Sequence, residues 1–69
     1  MAIGAATCKN GVVTIWDETS AKIGTLPVHG MVVLGYTPTR VTLISPPASL
    51  FQICYMFDAT GKFVGGFIP

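Results

Sequence analysis

Apolar side chains recur at every second position through residues 51–57, where Phe51, Ile53, Tyr55 and Phe57 alternate with Gln52, Cys54 and Met56. A period of two sends side chains to one face of a β-strand, so this arm presents an aromatic face for burial. It stops at Asp58-Ala59-Thr60-Gly61, where Asp accepts hydrogen bonds from nearby backbone N–H groups and Gly tolerates positive φ. A second arm, residues 62–68, completes a hairpin around which the rest of the chain is expected to pack.

The earlier stretches repeat this grammar. Residues 1–7 are small and apolar with no clear period, which fits a frayed arm or a short edge strand, and Lys9-Asn10-Gly11 signals a turn. Residues 12–16 are β-branched and aromatic on both parities, as expected of a strand covered to some degree on both sides. Asp17-Glu18-Thr19-Ser20 turns the chain into residues 21–26, in which Gly24 marks a bulge or a close backbone approach and Pro27 a stop. His29-Gly30 opens a third strand, residues 31–36, whose two apolar faces predict a central position or an interface. Thr37-Pro38-Thr39-Arg40 turns it into residues 41–44. Ser45-Pro46-Pro47-Ala48-Ser49 cannot continue a ladder, because proline donates no hydrogen bond, and a single helical turn would fit residues 48–52. The expectation is an all-β single domain: a six-stranded antiparallel barrel or two-layer sandwich built from three successive hairpins.

Shifting the chain by 41 residues lays the Asp17 turn on the Asp58 turn without a gap, matching Asp17/Asp58, Thr19/Thr60 and Gly24/Gly65. A duplicated hairpin explains the match, and so does turn chemistry selected twice, because turns favour these residue types for physical reasons.

Composition changes the picture in one direction. The chain has 69 residues, and a domain that small buries only about 60% of its unfolded surface, so its core is marginal. Hydrophobic residues make up 51% and charged residues 10%, against about 25% charged in an ordinary domain. Too little charge remains to cover the surface, which points to apolar area buried against another molecule. A second copy of the chain is the leading partner, with another protein possible.

Charge and candidate chemistry mostly exclude. The net charge of +1 is spread over Lys9, Lys22, Arg40 and Lys62, with no basic stripe for nucleic acid. No run approaches the ~20 apolar residues of a membrane-spanning helix. The start has neither the basic region nor the apolar length of a signal peptide, so a cytoplasmic protein is expected. Cys8 and Cys54 make no metal-ligand spacing and fall below the density of a disulfide scaffold, which predicts two reduced thiols. His29, the only histidine, has no local nucleophile motif. The string around Asp58 lacks the unbroken Asp-Thr/Ser-Gly of an aspartic-protease loop, and Gly65-Gly66 lies in a strand pattern with no helix to bind phosphate. No catalytic, cofactor or metal residue is therefore assigned.

Two functional readings remain. The first is a non-catalytic interaction module acting as a homo-oligomer. The second is a small barrel holding an apolar small molecule or lipid in an aromatic-lined cavity. For either, the candidate contact residues are Trp16, Met31, Val33, Tyr36, Tyr55, Phe63 and Phe67.

Overall fold

The computed structural model describes residues 2–45 and 52–69. These form an all-β, antiparallel fold in two sheets that do not close into a barrel. β1 (Ile3–Lys9), β2 (Val12–Asp17) and β3 (Lys22–His29) make a three-stranded meander in that order. β4 (Val32–Thr37), β5 (Arg40–Ile44), β6 (Cys54–Asp58) and β7 (Phe63–Phe67) make a four-stranded one. The predicted helical turn over residues 48–52 lies, apart from Gln52, outside the described residues.

Turn chemistry accounts for the β1–β2 connection. Asn10 (φ 53°) and Gly11 (φ 77°) take consecutive left-handed conformations, the combination that lets a two-residue loop follow the right-handed twist of its strands. The β4–β5 and β6–β7 hairpins form where the sequence places them.

Three details differ from the sequence reading. The fold has seven strands rather than six, because the small apolar N-terminal stretch pairs with β2 as an edge strand. Gly4 is needed there: a Cβ at this position would stand 2.5 Å from the Asp17 carbonyl oxygen. Pro27 does not end its strand. From Thr14↔Thr25 to Val12↔His29, β3 carries three intervening residues against one in β2, and this irregularity takes up a residue that cannot donate to a regular ladder. β4, apolar on both faces, lies at the edge of its sheet rather than the centre.

That edge abuts β1. The Ile3 N–H donates to the Pro38 carbonyl (2.8 Å), the Tyr36 hydroxyl to the Gly4 carbonyl (2.9 Å) and the Cys8 thiol to the Met31 carbonyl (3.3 Å). Rising numbers in β1 meet falling numbers near β4, so the two strands run antiparallel and join the sheets along one corner. At the opposite side the β6–β7 turn approaches β3, with Gly61 beside Leu26.

One core fills the space between the sheets. Ile3, Val13, Ile15 and Leu26 from the first sheet meet Val41, Leu43 and Phe57 from the second. The ring of Phe63 stands 5.8 Å from that of Phe57 and 6.2 Å from that of Tyr55, centroid to centroid, in tilted and edge-on geometries that aromatic pairs favour. Tyr55 and Phe57 thus share the inner face as their period of two requires, while Phe51 lies outside the described residues. Cys54, on the opposite parity, is nevertheless fully buried. Gln52 is half-buried, and its amide donates to the Ser45 carbonyl at 3.4 Å.

Candidate functional site

The two aspartate turns are built alike, bond for bond. The Asp17 carboxylate oxygen Oδ1 accepts from the Thr19 N–H (2.8 Å), the Thr19 hydroxyl (2.7 Å) and the Ala21 N–H (2.9 Å). Asp58 Oδ1 accepts from the Thr60 N–H (2.9 Å), the Thr60 hydroxyl (2.6 Å) and the Lys62 N–H (3.0 Å). The backbone bonds match as well: Ser20 N–H to Asp17 carbonyl at 3.1 Å and Asp17 N–H to Ala21 carbonyl at 2.8 Å, against 3.0 and 2.9 Å around Asp58. The strand register continues the likeness. Ile15↔Gly24 and Trp16↔Lys22 bracket a bulge at Ile23, and Met56↔Gly65 and Phe57↔Phe63 bracket the same bulge at Val64. The 41-residue echo is therefore a likeness of turn, bulge and register.

These hydrogen bonds hold both carboxyls below the ordinary aspartate value of 3.8, the threonine hydroxyl being the largest cause in each, followed by the backbone N–H of Ala21 or Lys62. A carboxylate so stabilised in its charged form is a poor base at neutral pH. The turns face each other across an open cleft of ≈ 600 Å³ lined by Asp17, Ala21, Lys22, Ile23, Ala59 and Thr60. His29 pairs with Val12, at the far end of the β2–β3 hairpin from Asp17, and its ring lies against Gly11. No group of three potential metal-ligating side chains occurs among the described residues. The cleft is thus lined by structural turns rather than by a reactive constellation.

The larger exposed feature is the outer face of the four-stranded sheet. Register places Val32, Ile44, Cys54 and Phe67 in one row across all four strands, each paired with the next. The adjoining row is Gly35, Thr42, Met56 and Gly65, with Leu34 as the extra residue of a bulge in β4. Val32, Leu34 and Phe67, all on the two edge strands, are 53%, 56% and 44% exposed, whereas Cys54 is fully buried and Thr42, Ile44 and Met56 are half-buried. Neither row contains a charge. Only at the end of the sheet does alternation bring Arg40 and Asp58, paired across β5 and β6, to this face. Of the glycines in this row, a Cβ on Gly65 would stand 3.5 Å from Met56 Cε, an ordinary contact, and one on Gly35 would meet nothing within 4 Å.

The seven candidate contact residues fall in different places. Met31, Val33 and Tyr55 are half-buried against the core, and Phe63 and Tyr36 are exposed at its margin, Tyr36 tied to Gly4. Trp16 is half-buried on the outer side of the first sheet, its indole N–H donating to the Thr7 hydroxyl at 3.0 Å. Phe67 alone belongs to the apolar row. Val32, Ile44 and the neighbouring Leu34 are the residues that sequence reasoning missed. The two-sided apolar pattern of residues 31–36 was the signal for Val32 and Leu34. Cys8 is exposed and Cys54 buried, and neither is bridged.

No protein-family model, curated protein or solved structure matches this chain. No helix among the described residues is long and apolar enough to cross a membrane.

Proposed function

We propose that this chain is a non-catalytic β interaction module that works as a homo-oligomer. The observation that carries the reading is the set of exposed apolar side chains on the edge strands of the four-stranded sheet, Val32 and Leu34 on β4 and Phe63, Val64 and Phe67 on β7. Exposed apolar surface of this kind costs solubility in a monomer and marks association sites. The small core adds to it: eight apolar residues are buried among those described, few for a domain that must stand alone. The competing idea of an aromatic-lined cavity has less support, since Tyr55, Phe57 and Phe63 pack on one another and the sheets leave no barrel interior. Residence in the cytoplasm belongs to the same proposal and is supported by the two unbridged thiols.

Light scattering across micromolar concentrations, with native mass spectrometry on the same sample, tests the reading. A mass of two or more chains is expected. A monomer at every concentration overturns it, and a stoichiometric co-purified lipid or small molecule on a monomer replaces it with the ligand-binding alternative.

A further inference from the structure

Building on the homo-oligomer reading, we infer that two copies associate edge to edge, β7 against β7 in antiparallel register about a two-fold axis at Gly66, so that the four-stranded sheets join into one of eight strands. The inference starts from the backbone. β7 pairs with β6 on one side, and among the described residues no backbone hydrogen bond reaches its other side. The Asp58 N–H donates to the Lys62 carbonyl at 2.9 Å, so these two residues face each other. Alternation from there, with one residue taken up by the bulge at Val64, turns Gly65 and Phe67 toward β6 and the N–H and carbonyl of Gly66 and Ile68 outward. An extended edge with unpaired groups of this kind is a template for a further strand.

The other sheet edges are covered or defended, and this one is neither. β4 abuts β1, to which Pro38, Tyr36 and Met31 bind it. β3 begins on Lys22, includes Pro27 with no N–H to give, and carries the long irregularity opposite Val12 and Thr14, all features that keep an edge from pairing with another chain. Residues 63–68 hold neither charge nor proline. Their side chains stand in solvent, with Phe63 54%, Val64 41%, Phe67 44% and Ile68 77% exposed.

A second copy is the occupant because the edge is complementary to itself. The two-fold sets Gly66 against the partner's Gly66, Phe67 against the partner's Gly65 and Ile68 against the partner's Val64. Phe67 and Gly65 lie on the outer side, in register with Cys54 and Met56, so each ring covers the bare backbone of a glycine across the new pair. Lys62 flanks the strand, and antiparallel pairing carries the two lysines to opposite ends of the ladder, whereas parallel pairing would set them side by side. Phe63 and Phe67 each leave roughly 100 Å² uncovered, and with Val64, Ile68 and the strand backbone the pair buries on the order of 800–1,000 Å² in total. That is the low end for a specific complex and suits a reversible dimer at micromolar concentration. Isologous pairing uses the free edge of both copies and closes the assembly at two chains.

Pulsed electron spin resonance reads the pairing directly. In a Cys8→Ser background, Lys62→Cys puts one spin label per chain on an exposed residue whose backbone bonds to Asp58 are kept, while Cys54 is fully buried and takes no label. At about 3.3 Å per residue, less one residue lost in each bulge, the two positions of an antiparallel pair centred on Gly66 stand roughly 20–27 Å apart. With the reach of the labels, a single distance of ~15–30 Å is expected, and any other overturns the pairing. Sedimentation supplies the second arm. Ile68→Pro deletes an outward N–H from each copy without touching the β6 ladder, and Phe67→Lys sets a charge against the partner's glycine. Each is expected to weaken self-association about tenfold or more, whereas Val32→Lys, on the distant β4, leaves it unchanged. If either β7 variant is silent, or Val32→Lys weakens association, this interface is wrong while the homo-oligomer reading stands. A monomeric wild type overturns both.

Discussion

Two three-stranded meanders make up most of this chain, β1-β2-β3 and β5-β6-β7, and they share a turn, a bulge and a pairing register while burying opposite faces. In the first, Val13 and Ile15 point into the core and Trp16 points out. In the second the equivalent of Val13 is Cys54 and that of Ile15 is Met56, both on the outer side, while Phe57, the counterpart of Trp16, is in the core. The cause is topological. With β4 between them, the strands succeed one another as β3-β2-β1-β4-β5-β6-β7, so equivalent strands keep their direction while their order is reversed. Only a half-turn about an axis along the strands does that, and it turns the sheet over. The extra strand therefore sets Cys54 and Met56, apolar like their core counterparts Val13 and Ile15, on the outer side of the second sheet, where Cys54 is fully buried and Met56 half-buried.

The inversion makes a sharp prediction about equivalent positions. Phe57→Ala should cost ~3–5 kcal/mol, the usual range for removing a core aromatic. Trp16→Ala should cost no more than ~1–2 kcal/mol, because the indole stands on the outer side of its sheet, is only partly covered, and full burial of a large side chain is worth about 1.5–3 kcal/mol. Urea denaturation of both variants breaks the comparison if the tryptophan proves as costly as the phenylalanine. A domain with ~5–15 kcal/mol in hand would be largely unfolded by the larger loss.

The next effect lies where the copies differ. β1 shifts register between Ile3 and Ala5, whereas the equivalent pairing of Arg40 with Asp58 runs on without a shift. Gly4→Ala drives a methyl into the Asp17 carbonyl and the Glu18 backbone, neither of which is a flexible side-chain end, so a loss of ~1–3 kcal/mol is expected. Thermal unfolding measures it. A silent Gly4→Ala would mean that β1 yields easily and that the corner between the sheets is less fixed than its hydrogen bonds imply.

How much of this was legible depends on how far apart the deciding residues lie. Asp, Thr and the positive-φ residue of each turn sit within four positions, so the turns and Gly24's bulge could be read directly. The inner face of Tyr55 and Phe57 follows from local parity. β1 could be read only as a frayed arm or a short edge strand, since Gly4, Ala5 and Ala6 give no period and the strand exists through its pairing with β2. Pro27 was misleading because a missing donor looks like a stop until a two-residue irregularity is found to absorb it. The inversion, and with it the outer row, depends on the number of strands between the copies, which no local window contains.

A smaller effect tests the likeness of the turns by pH. Both aspartates have folded-state values below 3.8, so each stabilises the fold at pH above its unfolded value, and that contribution is lost as pH falls through the folded value, on the acid side of 3.8. Carboxyl titration by NMR should show Asp17 and Asp58 displaced in the same direction. Thr19→Val should move Asp17 alone back toward 3.8, and Thr60→Val should do the same for Asp58 alone, since the threonine hydroxyl is the largest cause in each. Different responses would show that the shared distances hide different electrostatics.

The smallest expected effect is also the most specific. Both turns need a left-handed residue at the same point: Ser20 has φ 68° and Gly61 φ 86°. A residue with a Cβ pays ~1–2 kcal/mol for that conformation, and glycine returns part of the gain through its greater freedom in the unfolded chain. Ser20→Gly should therefore stabilise by ~0.5–1 kcal/mol, and Gly61→Ser should destabilise by a similar amount. Space does not interfere with the second change, because a Cβ on Gly61 would meet Leu26 Cδ2 at 3.7 Å, ordinary van der Waals contact. Exchanging the two residues in one double variant should leave stability near that of the wild type, the two sites being independent turns. Should Ser20→Gly destabilise instead, the serine hydroxyl is contributing something its counterpart turn manages without, and the equivalence of the two hairpins ends at that residue.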